Sequence, residues 1–249
     1  MKRDGNTVLI TGGASGIGLA LAERFLKTGN TVIVCGRRHE KLQEAATTFP
    51  GLHIKVCDVS DTSQRQELLE WATREFPQLN VLINNAGIQQ RVDLLDAKDE
   101  WEYYQKEIQS NFDAPVHLTM LFVPHLRKQQ HAAIINVSSG LAITPGAWVP
   151  IYSATKAALH SFTVSLRIQL ADTGVEVLEV LPPAVNTDLG GVGLHTFGAP
   201  LDDFADSVFS ELFTGKQKIG YGGTEERLLV SAREAEELSA KMYEGFMQR

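Results

Sequence analysis

Short runs of apolar, often β-branched residues alternate with amphipathic stretches along the whole chain, and this alternation limits the fold more than any other feature of the sequence. Apolar runs at residues 7–10, 31–35, 53–57, 80–83, 133–137 and 175–181 read as strands, and 218–221 can add a seventh at an edge. Helical periodicity fills 16–28, 40–47, 63–75, 101–129, 152–171, 202–213 and 224–247. Repeated strand–helix–strand units demand parallel strands, right-handed crossovers and helices on both faces. Runs apolar at consecutive positions fit strands covered on both sides. The expected architecture is therefore α/β: a doubly wound parallel sheet of about seven strands, of the Rossmann type, in one domain over residues 1–249. No charge block, repeat or linker interrupts it. Residues 189–200, with Gly190, Gly191, Gly193, Gly198 and Pro200, read as a mobile loop within that domain.

A net charge of −7 argues against nucleic acid or an anionic membrane as partner. No apolar stretch reaches spanning length, and the start Met1-Lys2-Arg3 leads into no secretory pattern, so a cytoplasmic protein is expected. Cys35 and Cys57 each end an apolar run, the position of a buried free thiol. Of the seven scattered histidines, His117 and His125 share a helix without acidic or thiol ligands at metal spacing, and no metal is expected.

The first strand runs into Thr11-Gly12-Gly13-Ala14-Ser15-Gly16-Ile17-Gly18 and then a helix. Glycines at such a turn let backbone approach a pyrophosphate, and helical N–H groups face it; without a ligand the same turn is only a tight strand-to-helix connection. The second strand ends Cys35-Gly36-Arg37-Arg38. An acid there would hold the ribose hydroxyls of NAD. Two arginines instead fit a guanidinium clamp on the 2′-phosphate of NADP, or else a solvated surface pair.

Tyr152 and Lys156 are four apart at a helix start and so share a face. A phenol titrating at about 10 is a weak base at neutral pH, and a neighbouring ammonium favours its ionised form. The fifth strand ends Asn136-Val137-Ser138-Ser139, which brings a hydroxyl to the crevice where ligands of open α/β sheets bind. Ser139 there can donate to a substrate oxygen, or bond its own turn. Pro115 lies four residues after Asn111 in a helical pattern. Its missing N–H leaves the Asn111 carbonyl without a helical donor, able to hold a water that leads a proton path away from Lys156, unless this is only a proline kink.

Taken together these residues resemble the short-chain dehydrogenase/reductase family over nearly the whole chain. The resemblance implies a glycine motif at Gly12, Ser15, Gly16, Ile17 and Gly18, an adenine contact at Asp58-Val59, a nucleotide-binding loop at Asn85, Ala86 and Gly87, and a reacting set of Asn111, Ser139, Tyr152 and Lys156. It also implies that Pro182, Val185 and Thr187 flank the nicotinamide, although Pro183 stands where the family usually has glycine. The function implied is NADP-dependent hydride transfer to or from a small carbonyl or alcohol, in a homodimer or homotetramer. The other reading is an idle NADP-binding sensor. Within the family, residues 6–13, 157–162 and 201–206 look like the DltE-like oxidoreductases. Residues 141–150 and 189–200, carrying Trp148, His195 and Phe197, are expected to line a pocket for a neutral or apolar substrate.

Overall fold

The structure, a computed structural model, describes residues 1–248. Its strands are β1 (Thr7–Thr11), β2 (Thr31–Gly36), β3 (Leu52–Val56), β4 (Val81–Asn84), β5 (Ala133–Val137), β6 (Glu176–Leu181) and β7 (Lys218–Gly220). They form one parallel sheet in the order β3-β2-β1-β4-β5-β6-β7. The chain winds outward from β1 to β3, then returns to lay β4 beside β1. At such a switch point the carboxyl ends of neighbouring strands open a crevice, and here those ends are Thr11 and Asn84.

Alternate residues of each strand serve opposite faces. Val8 and Ile10 join Leu21 and Phe25 of α1 (Gly16–Lys27), Leu42 of α2 (His39–Thr48), and Phe204, Val208 and Phe209 of α7 (Leu201–Glu211). Leu9 belongs to the opposite layer, with Leu68 of α3 (Thr62–Glu75), Leu118 and Phe122 of α5 (Ala114–Leu126) and Leu166 of α6 (Pro150–Gln169). All residues of β4 and β5 are buried, as sandwiching between two helical layers requires. Cys35 and Cys57 are buried free thiols.

Two helical stretches differ from the sequence reading. The long one from 101 ends at Leu126 and is broken: α4 (Trp101–Ile108) passes through a π-helical turn, Gln109–Asp113, before α5. There the Ala114 N–H reaches back five residues to the Gln109 carbonyl. A loosened turn suits a helix whose Pro115 cannot donate in the ordinary register. The final stretch divides into α8 (Thr224–Arg227) and α9 (Ala232–Met247), because Ser231 and Glu234 form a reciprocal capping box that starts a new helix. None of the described residues of α9 is buried.

Candidate active site

The glycine turn is stitched to the loop after β4. Thr11 Oγ1 accepts from the Asn85 and Ala86 N–H groups, both at 3.0 Å. Asn85 Nδ2 donates to the carbonyls of Thr11 (2.9 Å) and Gly12 (3.2 Å). The close approach explains two glycines. A Cβ on Gly12 would lie 2.8 Å from Ala86 Cα, and one on Gly18 would lie 2.5 Å from Asn85 Nδ2. Gly16 differs: its φ is +54°, and a Cβ there would meet only Thr187, at 3.4 Å. No side chain caps the first turn of α1, since Ser15 hydrogen-bonds Arg38 Nη2 at 3.4 Å and not the helix. Bare helical N–H groups beside an open glycine fit the pyrophosphate of a dinucleotide.

Arg37 and Arg38 are both exposed, and Arg38 is the one brought to Ser15. Asp58 is half-buried and accepts from Ser60 N (2.9 Å) and Oγ (2.7 Å). The neighbouring Val59 carbonyl is held by Arg65 Nη1 at 2.8 Å, a buried arginine absent from the sequence reading. Across the crevice the Pro182 carbonyl accepts from Gly140 N–H at 2.9 Å. Val185 pairs with Ala199 in a short parallel bridge, and Thr187 lies beside the glycine turn, nearest Gly16.

Proline at the start of α6 sets the helix and places Tyr152 and Lys156 one turn apart, both buried. The Lys156 ammonium sits 5.6 Å from the centre of the Tyr152 ring and donates to the Val137 carbonyl at 2.8 Å. The Ser139 hydroxyl accepts from the Leu141 N–H at 3.1 Å, its turn role, and its side chain also acts on the Tyr152 phenol. Asn111 is fully buried, and its side chain closes a pair of bonds on Ile88: Oδ1 accepts from Ile88 N–H and Nδ2 donates to Ile88 O, each at 2.8 Å. A Cβ on Gly87 would lie 3.2 Å from Asn111 Oδ1 and 3.6 Å from Lys156 Nζ, so the asparagine, the lysine and the loop after β4 converge.

At Tyr152 burial prevails and pushes the phenol up to about 12, opposed by the Ser139 side chain and helped by the charge of Glu107. Burial likewise pushes Lys156 down to about 8, opposed by Glu107 and Glu179. Both glutamates are buried, and neither was among the candidates read from the sequence. Glu179 accepts from Ser138 Oγ at 2.5 Å and pairs with His160 Nδ1 at 2.9 Å. Glu107 accepts from Gln90 N–H at 3.0 Å.

On the substrate side, Val92 N–H bonds the Trp148 carbonyl at 3.2 Å. Trp148 stacks on Phe246 of α9 with ring centres 5.0 Å apart, and Arg91 lies 5.3 Å from the same phenylalanine ring. A mainly apolar cavity of about 430 Å³, lined by Leu141, Pro145, Ala154, Ala157, Ala240 and Tyr243 among others, lies between the turn after β5, α6 and α9. His195 and Phe197 stand together in the 189–200 loop, rings 6.1 Å apart. Among the described residues no group of three or more His, Cys, Asp or Glu is placed to hold a metal, and no helix is long and apolar enough to cross a membrane.

Comparison with known proteins agrees with this geometry. Residues 6–192 match the sequence model of the family described as short chain dehydrogenase. The chain is 52% identical to the uncharacterized oxidoreductase DltE of Bacillus subtilis (strain 168), over 88% of this chain and 89% of that one. Among solved structures it is similar to a short chain dehydrogenase from Burkholderia cenocepacia J2315 in complex with NADP, with TM-score 0.83 and 27% identity, covering 97% of this chain and 99% of that one. It is also similar to a 3-ketoacyl-(acyl-carrier-protein) reductase from Brucella melitensis complexed with NADH, with TM-score 0.78 and 26% identity, covering 89% and 98%. With the sheet order, the stitched glycine turn and these matches in agreement, the chain belongs to the short-chain dehydrogenase/reductase family of oxidoreductases, close to DltE.

Proposed function

We propose that the protein transfers hydride reversibly between NADP(H) and a small carbonyl or secondary alcohol, with Tyr152 as general acid/base. The observation that carries this reading is the buried trio of Tyr152, Lys156 one helical turn away with its ammonium 5.6 Å from the phenol ring centre, and Ser139, whose side chain acts on the phenol. A nicotinamide held between the glycine turn and residues Pro182, Val185 and Thr187 supplies hydride exchange when bound. Tyr152 gives its proton to the substrate oxygen during reduction and takes it back during oxidation. Ser139 donates a hydrogen bond to the same oxygen as charge develops on it. Lys156 stabilises the phenolate that Tyr152 becomes, and Asn111 holds the loop that borders them through Ile88.

Preference for NADP is supported by Gly36 at the position where an acid would bind ribose, followed by Arg37 and Arg38. Cytoplasmic activity in a homodimer or homotetramer is part of the same reading. Exposed Met120 and Ile168, on α5 and α6, offer an apolar surface for assembly. Loop 189–200 closes over the substrate.

A panel of ketones and aldehydes assayed with NADPH, followed by loss of nicotinamide absorbance, tests the proposal. On any substrate found, Tyr152→Phe should keep cofactor binding and lose turnover by roughly 10²–10⁴-fold. Near-wild-type turnover by that variant overturns the assignment.

A further inference from the structure

Glu107 presents an anomaly that the proposed reaction does not use. It is fully buried in α4. One carboxylate oxygen, Oε1, accepts from the Gln90 N–H, while Oε2 is buried without a hydrogen-bond partner. A buried acceptor left unpaired is costly, the more so if charged. Such an oxygen belongs where a positive charge or a mobile proton meets it.

The neighbourhood supplies that charge. α4 packs against α6, which carries Lys156. The segment 87–90 lies between them: Gly87 borders the Lys156 ammonium and Gln90 holds Oε1. Lys156 has three N–H donors and spends one on Val137 O, its hydrogen bond among the described residues. An acceptor with unmet capacity and a cation with unmet donors thus border the two ends of the same short segment, without forming an ion pair. Glu179 makes the contrast. It too acts on Lys156, from β6, but its oxygens are engaged by Ser138 and His160. Its pairing is complete without the lysine.

We propose that Glu107 is a positioning residue of the reaction centre: its carboxylate holds the charge of Lys156, while its other oxygen anchors the loop after β4 at Gln90. The role rests on the Tyr152 mechanism above. It explains why an acid is kept in a helix interior with half of its bonding capacity unmet. Burial raises the Glu107 carboxyl to about 7, opposed by the Gln90 N–H and Lys156. The charged group that acts on it is Lys156 of α6, which Glu179 reaches from β6, while Glu107 itself acts on Tyr152. Below about pH 7 the carboxyl is neutral and the support for the ammonium is withdrawn; above it the support is present.

Two titrations test this without any substrate. In protein carrying ¹³C-labelled lysine, the Lys156 side-chain resonance should titrate at lower pH in Glu107→Gln than in wild type, by about one pH unit or more. Coupling is reciprocal. In Lys156→Met the Glu107 carboxyl resonance, identified by its absence from Glu107→Gln, should therefore titrate higher than in wild type. If Glu107→Gln does not fold, Glu107→Asp identifies the carboxyl resonance instead, and the Lys156→Met arm decides. Unchanged titration of the surviving partner overturns the proposal and leaves Glu107 as a clamp on Gln90 only. Where the panel has yielded a substrate, the Glu107→Gln pH profile of kcat should lose its ionisation near neutrality with KM little changed, and Glu107→Asp should restore it. Superposable profiles for Glu107→Gln and wild type also overturn it. Absence of any turnover in wild type refutes the hydride-transfer reading and leaves the two titrations to judge the Glu107–Lys156 coupling.

Discussion

At the carboxyl ends of β1 and β4 the molecule is held by side chains that bond main chain. Thr11 takes two N–H groups, Asn85 donates to two carbonyls, and Asn111 takes both polar atoms of Ile88. Beyond β6 the construction is looser. A single bridge at Val185 leads to a loop whose Gly190, Gly191 and Gly193 all have positive φ, and α9 buries no described residue and touches the substrate side through Trp148 and Phe246. Main chain fixed by bonded side chains gives a shape that no single exposed residue controls, whereas a surface closed by ring contacts can change its lining at little cost to the fold. The first region suits a constant ligand and the second a variable one.

The largest effect should come from breaking the first region. Thr11→Val keeps the shape of the side chain but strands the Asn85 and Ala86 N–H groups, and should lower unfolding stability by about 2–4 kcal/mol and weaken cofactor binding. Urea unfolding and a cofactor titration measure both; a variant as stable as wild type removes the contrast. Next is Arg37→Ala, which leaves the stitched backbone alone. It should take away roughly 1.5–3 kcal/mol of the preference for NADPH over NADH without lowering stability. If wild type binds NADH as tightly as NADPH, the arginines at the end of β2 serve another purpose. The smallest effect is on the looser side. Phe246→Ala should cost about 0.5–1.5 kcal/mol, raise KM for substrate and leave cofactor affinity unchanged. Loss of cofactor affinity comparable to that of Thr11→Val would show that the two regions are one.

The sheet was legible because each strand is apolar at consecutive positions and each is followed by a helical pattern, so the local signals and the layered fold agree. Tyr152, Lys156, Ser139 and the glycine turn were legible as candidates because helix spacing and strand ends fix where such side chains point. Glu107 was not. In the run Glu102-Tyr103-Tyr104-Gln105-Lys106-Glu107 it looks like one more charge on a solvated face, and only the packing of α4 against α6 buries it. Glu179 hides for the opposite reason, as a lone acid inside an apolar strand whose partners, Ser138 and His160, come from β5 and α6. The π-helical turn has no distinct period in sequence. The break between α8 and α9 was signalled by Ser231 and Glu234, a cap written inside a pattern that reads as continuous.

The bonds between Thr11 and Asn85 also bear on how the chain is made. Their partners are 74 residues apart in sequence, and β1 receives β4 on the side away from β2. Until β4 has left the ribosome, the glycine turn has nothing to lock it, and β1 presents a bare row of N–H and C=O groups along one edge. An exposed apolar edge of this kind is a template for pairing with another chain. The arrival of β4 ends that exposure of β1 and, in the same event, brings Asn85 to the glycine turn.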